Sequence, residues 1–288
     1  MSDAVRLLTR AELHSRPLPR LKAEDKNDHG QLLVIGGDRS LAGATILTAT
    51  AAFRAGCGKV TIATVEGVAP LVAVAMPECR VIGMPMSGAG GFAPSAIDPL
   101  IELAQEQDAV VAGSGMLENK GCEALAGKLI GAGIARLALD AALLHALPAN
   151  GGKARGMPVL LPHAGEMASL IGCDPQEVED DPLGCGRLCA ARYHALTLVK
   201  GGVSHVVTPD GEAWRFTGGV PGLGVSGSGD VLAGLVGGLA ARGCDPLTAL
   251  MWGVLLHGEA GQALAGKVGQ AGFLARELPA EIPSLLSR

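Results

Sequence analysis

Short apolar runs alternate along the chain with longer stretches in which apolar residues recur every three or four positions. A run of four or five residues rich in Val, Ile, Leu and Ala is typical of a strand buried on both faces. The runs that predict such strands are Gln31–Ile35, Lys59–Ala63, Asp108–Ala112, Ala135–Leu139, Pro158–Leu161 and Thr197–Lys200. Most of them are followed by Gly, Pro or Asp, which favour a turn after the strand.

A hairpin is predicted near residue 210. The segments His205–Thr208 and Ala213–Phe216 alternate or cluster apolar residues and flank Pro209-Asp210-Gly211, a strong turn signal. In contrast, Met84–Pro99 is rich in Gly, Pro, Ser and Met, and we expect it to form a surface loop.

Three long helices are predicted between the strands and toward the end of the chain. Leu41–Ala55 is an alanine-rich helix closed by Gly56. A second helix begins near Asp230, has apolar residues at helical spacing and ends at Gly243. Asp245 then caps a third helix, with Pro246 in its first turn.

Strand, turn and helix in repetition predict an α/β fold, and we expect one domain over residues 1–288 with a mostly parallel central sheet between two helical layers. Ligands of such sheets bind beyond the carboxyl ends of the strands. The residues that directly follow each strand are therefore the first candidates for chemistry.

Composition narrows the classes of partner. The net charge is −5 and aromatic residues make up 2% of the chain, so both the basic surface and the stacking platforms of a nucleic-acid-binding protein are missing. No apolar stretch is long enough for a membrane span. The seven cysteines form no Cys-x-x-Cys pair, which favours buried, reduced thiols in a cytoplasmic protein.

A glycine-rich run precedes the second predicted helix. Gly222–Gly227 formally matches the Gly-x-Gly-x-x-Gly dinucleotide fingerprint, but Pro221 stands where a strand should end, and no acidic residue closes a following strand. There is also no Walker A loop, because Gly58-Lys59 is followed by Val60 inside a strand.

The same run has a better interpretation as an anion hole. Gly227, Ser228 and Gly229 stand just before or at the start of a helix, where backbone N–H groups and the helix dipole attract negative charge. Such a hole stabilises a phosphoryl group in transfer. Asp230 is placed to take a proton from an attacking hydroxyl. The alternative is that Asp230 only caps the helix and the glycines only turn the chain.

Further motifs accompany this segment in a fixed order from Lys26 to Leu278. They are Lys26–Gly37, Gly43–Thr45, Gly113–Met116, Leu139–Ala141, Leu161–His163 with Gly165-Glu166, Lys200–Gly202, Gly222-Leu223, Gly227–Gly234, Arg242-Gly243 and His257–Gly261. With these motifs the chain resembles the ADP/ATP-dependent NAD(P)H-hydrate dehydratases of the ribokinase-like superfamily. The resemblance implies a ribokinase-like fold and a repair reaction. Hydrated NADH or NADPH, as the S epimer, is phosphorylated on its ring hydroxyl at the expense of a nucleotide, and phosphate then leaves.

The resemblance also implies roles for particular residues. Contacts to the hydrated dinucleotide correspond to Ala44, Gly115, His163 and Asp230. The nucleotide site corresponds to Lys200, Gly201, Gly202, Val203 and Ser204, together with Gly229. The implied cofactors are ADP or ATP with Mg²⁺, ADP being favoured, and the implied assembly is a homo-oligomer, with a tetramer favoured.

Four residues in these motifs also have a purely structural interpretation. His163 could be a loop histidine bonded to backbone, and Lys200 a solvated strand end. Asp140 could contact Mg²⁺ or a hydroxyl, or cap the following helix. Glu166 could lie near the metal, or be a first-turn acid favoured by the helix dipole. The metal ligands are therefore left open, with Asp140 and Glu166 as candidates.

The chain departs from the family pattern at four places. Asp140-Ala-Ala-Leu-Leu-His145 replaces Asp-Ala-Asp-Ala-Leu-Asn, Ala164 and Ser114 each replace a proline, and Val220 replaces an asparagine. The first of these changes removes groups near the expected substrate ring, whereas the Gly-x-Gly-Asp core is intact. Two further functions stay open: a small-molecule kinase of the same fold, and a nucleotide-binding protein that has lost turnover.

Overall fold

One ten-stranded sheet organises the parts of the chain that the computed structural model describes, which are residues 4–20, 26–148 and 156–288. The strands are β1 Arg6–Leu7, β2 Gln31–Ile35, β3 Lys59–Val65, β4 Arg80–Met84, β5 Ala109–Ala112, β6 Leu137–Leu139, β7 Val159–Leu160, β8 Leu196–Val199, β9 Ser204–Val207 and β10 Ala213–Phe216. Their order is β1-β10-β9-β8-β7-β6-β5-β2-β3-β4. Neighbours run parallel except β8–β9 and β9–β10, which are antiparallel. The predicted mostly parallel sheet and its hairpin are confirmed.

Both faces of the sheet are apolar and covered by helices. Leu32 and Val34 of β2 belong to one core, whereas Leu33 and Ile35 belong to the other. The split follows from the pleat, which points successive side chains to opposite faces. The helices are α1 Arg10–Leu13, α2 Gly43–Arg54, α3 Ala69–Ala75, α4 Ile97–Gln105, α5 Lys120–Gly131, α6 Ala142–His145, α7 Ala164–Ile171, α8 Pro175–Asp180, α9 Pro182–Tyr193, α10 Ser228–Ala241, α11 Pro246–Lys267 and α12 Leu278–Leu286, with 3₁₀ turns at Lys26–His29, Pro94–Ala96, Pro221–Leu223 and Ala275–Glu277.

The helices divide between the two cores. Buried residues of α2, α10, α11 and α12 join the first core, and those of α4, α5, α6, α7 and α9 join the second. This arrangement is the three-layer α-β-α architecture that the sequence predicts.

The strand register aligns the carboxyl ends of the central strands. Ile35 pairs with Ala112, Ala112 with Leu139, and Leu139 with Leu160. The residues that follow these strands therefore meet at one edge of the sheet, where the candidate site lies.

Helix α10 lies against α2 at a distance that only glycine permits. A Cβ atom on Gly234 would stand 2.1 Å from the Thr48 carbonyl oxygen, and one on Gly238 would stand 2.7 Å from the Ala52 carbonyl oxygen. Because α10 also begins at the candidate site, this contact fixes the height of that site above the sheet.

Gly234→Ala is therefore expected to destabilise the fold by about 1–3 kcal/mol or more, because the added methyl group must push two packed helices apart. The matched control is Gly266→Ala in α11, where an added Cβ meets nothing within 4 Å. Its higher helix propensity is expected to leave stability unchanged or raise it. Thermal melts compare the two variants, and equal melting temperatures would contradict the close contact.

The predicted surface loop at Met84–Pro99 is partly wrong. It begins within strand β4, contains the buried residues Phe92 and Ala96, and its end lies in α4, which starts at Ile97. The sequence conceals β4 because this edge strand is only half buried and lacks a continuous apolar run. Pro99 lies in the first turn of α4, where no N–H donor is needed. The short strand β1 was also not predicted.

The cysteine prediction is only partly confirmed. All seven cysteines are free thiols, but Cys79, Cys173 and Cys185 are half buried rather than buried. Among the residues that the structure describes, none of the helices combines the length and apolarity that a bilayer crossing requires.

Candidate active site

The first turn of α10 presents free backbone donors at the carboxyl edge of the sheet. Gly227 is the N-cap with φ of 90°, a conformation that glycine adopts without strain, and no side chain caps the helix. The Ser228 N–H donates to the Val225 carbonyl, whereas those of Gly229 and Asp230 have no partner in the described parts of the chain. This turn therefore offers N–H groups and the positive end of the helix dipole to an anion.

Asp230 lies in this turn and does not cap the helix, so the alternative that it serves only as a helix cap is excluded. Burial, together with the neighbouring carboxylates of Asp140 and Glu166, raises the pKa of Asp230 to about 6. A side-chain hydrogen bond from Ser114 and the charge of Lys200 oppose the rise. A carboxylate with this pKa is ionised at neutral pH and still basic enough to accept a proton from a hydroxyl.

Asp140, Lys200 and Glu166 form a buried charged cluster beside Asp230. Lys200 Nζ lies 2.8 Å from Asp140 Oδ1 and 3.5 Å from Glu166 Oε2. Burial works against the Lys200 charge, but the two carboxylates outweigh it and raise the pKa of Lys200. Lys200 is thus a half-buried, paired cation rather than a solvated strand end, and Asp140 pairs with it instead of capping α6, whose N-cap is Ala141.

His163 and Glu166 together start helix α7. His163 Nδ1 accepts hydrogen bonds from the N–H groups of Gly165 and Glu166, and Glu166 Oε2 accepts one from the His163 N–H at 2.7 Å. This reciprocal arrangement is a capping box. His163 is therefore bonded to the backbone, as its purely structural interpretation expects. The other ring nitrogen of His163, Nε2, lies 3.4 Å from Glu166 Oε1.

A cavity of about 760 Å³ opens next to this cluster. Its polar wall contains His163, Lys200, Gly201, Gly202, Ser204, Ser228, Gly229 and His257. The remaining wall is mainly apolar and includes Phe216, Leu223 and Val254. The volume and the mix of an apolar wall with a few polar groups are typical of a site for a nucleotide-sized molecule. Val203 stands in the exposed β8–β9 turn and does not line the cavity.

Two of the four positions predicted to contact the dinucleotide, Ala44 and Gly115, adjoin each other and do not line this cavity. A Cβ atom on Gly115 would lie 2.7 Å from Ala44 Cβ and 2.4 Å from the Leu41 carbonyl oxygen, and Gly115 has φ of 65°. Ser114, next to Gly115, connects this pair to Asp230. Asp230 thus follows Gly229 of the cavity wall in the chain and interacts with Ser114, the neighbour of Gly115.

The stretch from Asp140 to His145, which follows β6, departs from the family pattern at Ala142 and His145. Ala142 is buried in the second core, and His145 Nε2 lies 3.7 Å from Glu118 Oε1. The acid and the amide of the family pattern are thus replaced here by a core alanine and a histidine beside a carboxylate.

His257 lines the cavity, although the sequence analysis includes it only in the His257–Gly261 motif and assigns it no role. It projects from α11, with Nε2 3.0 Å from Ser228 Oγ. Its helical spacing is that of core residues, so the sequence pattern carries no signal that separates it from its apolar neighbours.

Ser114→Ala is expected to move the acidic limb of the activity profile to higher pH by about one unit. The Ser114 hydrogen bond lowers the pKa of Asp230, so its loss raises that pKa, and a hydrogen bond to a charged group is worth about 1.5–3 kcal/mol. Turnover measured against pH tests this shift. The control is Thr50→Val, which removes a hydroxyl from α2 that donates to the Ile46 carbonyl, and its limb should not move. An unmoved limb in Ser114→Ala would refute the tuning role.

The described residues do not form a metal cage. No group of three or more His, Cys, Asp or Glu side chains with metal-binding geometry occurs among them. Lys200 sits between Asp140 and Glu166, so these carboxylates already have a cation. Mg²⁺ commonly binds through nucleotide phosphates, water and one or two carboxylates. These residues fit a Mg²⁺ ion that is bound in this way, together with a nucleotide.

Solved structures identify the fold class. A Bacillus subtilis ADP/ATP-dependent NAD(P)H-hydrate dehydratase, co-crystallised with ATP and Mg²⁺, superposes with a TM-score of 0.83 at 24% identity over 99% of both chains. A ribokinase-like superfamily protein from Enterococcus faecalis gives 0.82 at 21% identity over 100% of this chain and 97% of that one. The fold is thus that of the ribokinase-like α/β proteins, and a helix start with N–H groups unpaired among the described residues lies beside a large cavity.

Sequence relatives define the family. The family model for NAD(P)H-hydrate dehydratase matches residues 32–284. An ADP-dependent (S)-NAD(P)H-hydrate dehydratase from Xanthomonas campestris pv. campestris is 45% identical over 99% of this chain and 97% of its own length. A bifunctional NAD(P)H-hydrate repair enzyme Nnr from Moorella thermoacetica is 36% identical over 98% of this chain, which spans only 54% of that protein. The chain belongs to the NAD(P)H-hydrate dehydratase family.

Proposed function

We propose that this protein restores NADH and NADPH from their hydrated S epimers, at the expense of ADP. The observation that carries the proposal is the position of Asp230, a carboxyl with a pKa of about 6 in the first turn of α10. It directly follows Gly229 of the cavity wall and interacts with Ser114, next to Gly115. Family membership and the 45% identical relative support the choice of substrate and of ADP.

In the proposed reaction the nucleotide lies in the cavity. Lys200 and the turn from Gly227 to Gly229 face its phosphates. The adjoining residues are Gly201, Gly202 and Val203 of the β8–β9 turn and Ser204, which begins β9. Ala44, Gly115 and His163 contact the hydrated dinucleotide. Mg²⁺ would be held by the nucleotide phosphates and water, with Asp140 and Glu166 as the nearest carboxylates, and would supply positive charge that offsets part of the phosphate charge.

Asp230 accepts the proton of the ring hydroxyl as its oxygen bonds to the terminal phosphorus of ADP, and AMP leaves. The N–H groups of the first α10 turn stabilise the charge on the transferring phosphoryl group. The ring C–O bond then breaks with loss of phosphate, the ring nitrogen supplies electrons, and a proton leaves the adjacent carbon. The products are NADH or NADPH, AMP and phosphate, so the atoms balance.

The direct test supplies the purified protein with separated epimers of hydrated NADH, ADP and Mg²⁺. Reduced-nicotinamide absorbance is expected to return with the S epimer, with one AMP formed per NADH. ATP in place of ADP tests the nucleotide preference. No return of absorbance with any nucleotide would overturn the proposal. Transfer to another alcohol would then indicate a small-molecule kinase, and binding without turnover would indicate a lapsed enzyme.

We also propose that the protein is a cytoplasmic homo-oligomer, with a tetramer favoured. Seven free cysteines support a reducing compartment. Leu71 and Val74 of α3 are 71% and 84% exposed, and such adjacent apolar side chains support burial against another subunit. Light scattering coupled to size exclusion measures the mass directly, and a monomer at micromolar concentration would contradict this assembly.

A further inference from the structure

Two hydrogen-bonding side chains meet at the start of α10, and the chemistry above uses neither of them. Ser228 Oγ and His257 Nε2 are 3.0 Å apart, and both residues line the cavity. Ser228 is 5% exposed, so its hydroxyl must find partners within the site or on a bound molecule. The direction of this hydrogen bond decides what the hydroxyl can offer.

The charge state of His257 limits the possibilities to two. Burial, together with the charge of Lys200, lowers the pKa of His257 to about 4, so the imidazole is neutral and carries a single proton. If Ser228 donates to His257, its only hydroxyl proton is used, and its oxygen lone pairs face any incoming phosphate. If His257 donates, the Ser228 proton is available to a ligand.

The ligand selects between the two. A phosphoryl oxygen only accepts hydrogen bonds, so it binds a hydroxyl that offers its proton and is repelled by one that turns its lone pairs toward it. A neutral imidazole can carry its proton on either ring nitrogen. When a phosphoryl group is bound, Nε2 of His257, which lies 3.0 Å from Ser228 Oγ, therefore carries the proton.

We propose that His257 is a positioning residue whose Nε2–H donates to Ser228 Oγ and so directs the Ser228 hydroxyl proton to the phosphoryl group in transfer. The inference rests on the proposed phosphoryl transfer and adds a side-chain donor to the backbone N–H groups of Gly229 and Asp230. Because the two side chains already lie within hydrogen-bond distance, no side chain has to move when charge develops on the phosphoryl oxygens.

A double-mutant cycle tests the proposal. Ser228→Ala is expected to lower kcat about 100-fold, as loss of one donor to a transition-state oxyanion does, and His257→Phe about 10-fold, because the hydroxyl remains but is unoriented. The double variant should be no slower than Ser228→Ala, since His257 acts only through Ser228. The affinity for ADP, measured by calorimetry, should stay within about twofold of the wild-type value.

Two further variants sharpen the cycle. His257→Gln keeps an amide N–H near the position of Nε2 and should recover most of the kcat that His257→Phe loses. Gln262→Met is the matched control, because it removes one side-chain hydrogen bond from the same helix, to the Gly218 carbonyl, and should leave kcat unchanged. Independent effects of about 1000-fold in the double variant, or a kcat loss matched by lost ADP affinity, would overturn the proposal.

A spectroscopic measurement separates this inference from the proposed function. Nitrogen NMR of the labelled histidine rings, with ADP bound, is expected to show neutral His257 with its proton on Nε2 at neutral pH, assigned by its absence in His257→Gln. If the wild-type protein failed to act on hydrated NADH, the proposed function would fail while this tautomer still stood. A proton on Nδ1 would overturn the inference even in an active enzyme.

Discussion

Asp230→Asn is expected to bind ADP as tightly as the wild-type protein and to turn over about 10²–10⁴-fold more slowly. The amide cannot accept the hydroxyl proton, whereas the backbone donors of the α10 turn and the cavity remain in place. Calorimetry with ADP and initial rates with the hydrated S epimer measure the two quantities. Near-normal turnover would show that another group is the base.

The same variant has a predicted effect on stability that separates a catalytic role from a structural one. Asp230 has a folded-state pKa of about 6, above the ordinary value of 3.8 for the unfolded chain, so ionisation destabilises the folded protein as pH rises from about 4 to 6. Asparagine carries no charge. Asp230→Asn should therefore be more stable above pH 6, by on the order of 2 kcal/mol, and the gain should vanish below about pH 4. A lower melting temperature at pH 8 would contradict this account of the site.

Lys200→Met is the second variant with a large expected effect, a loss of about 10²–10³-fold in kcat/KM. It removes a cation from the phosphate side of the cavity, and the pKa of Asp230 rises because Lys200 lowers it. The acidic limb of the rate profile should accordingly move to higher pH. The control is Lys267→Met, which breaks an exposed ion pair with Glu281 and should leave activity unchanged.

Lys200→Met should also destabilise the fold by about 3–5 kcal/mol, since Asp140 and Glu166 are left buried without their cation. Adding Asp140→Asn should restore part of that stability without restoring activity, because one unpaired charge is removed while the phosphate contact is still missing. Unchanged stability in the single variant would show that the cluster is not a buried ion pair. Thermal melts and rates on the same preparations decide both points.

Local sequence signals were sufficient for the central strands and for the start of α10. Runs such as Gln31–Ile35 predict buried strands because both faces of a parallel sheet need apolar residues. The glycines before Asp230 indicate a helix start with free donors because no other residue allows that backbone so readily. These signals depend on neighbours in the chain alone, and the structure has both features where the sequence places them.

The contacts across the site could not be predicted from local sequence signals. Asp140 and Lys200 are 60 residues apart and meet because β6, β7 and β8 are neighbours in the sheet. Ser114 is visible as a departure from the family pattern, but its bonds to Thr48 on α2 and to Asp230 on α10 exist only once three segments pack together. The edge strand β4 was missed because half-buried residues carry a weak pattern.

The central claim is that a phosphoryl group passes to the ring hydroxyl of the hydrated dinucleotide with Asp230 as the base. Substrate labelled with ¹⁸O in that hydroxyl tests it most directly, because the ring C–O bond breaks only after the oxygen has bonded to phosphorus. The account predicts that the label appears in inorganic phosphate, one atom for each NADH restored. Label recovered in water, with unlabelled phosphate formed alongside, would contradict it.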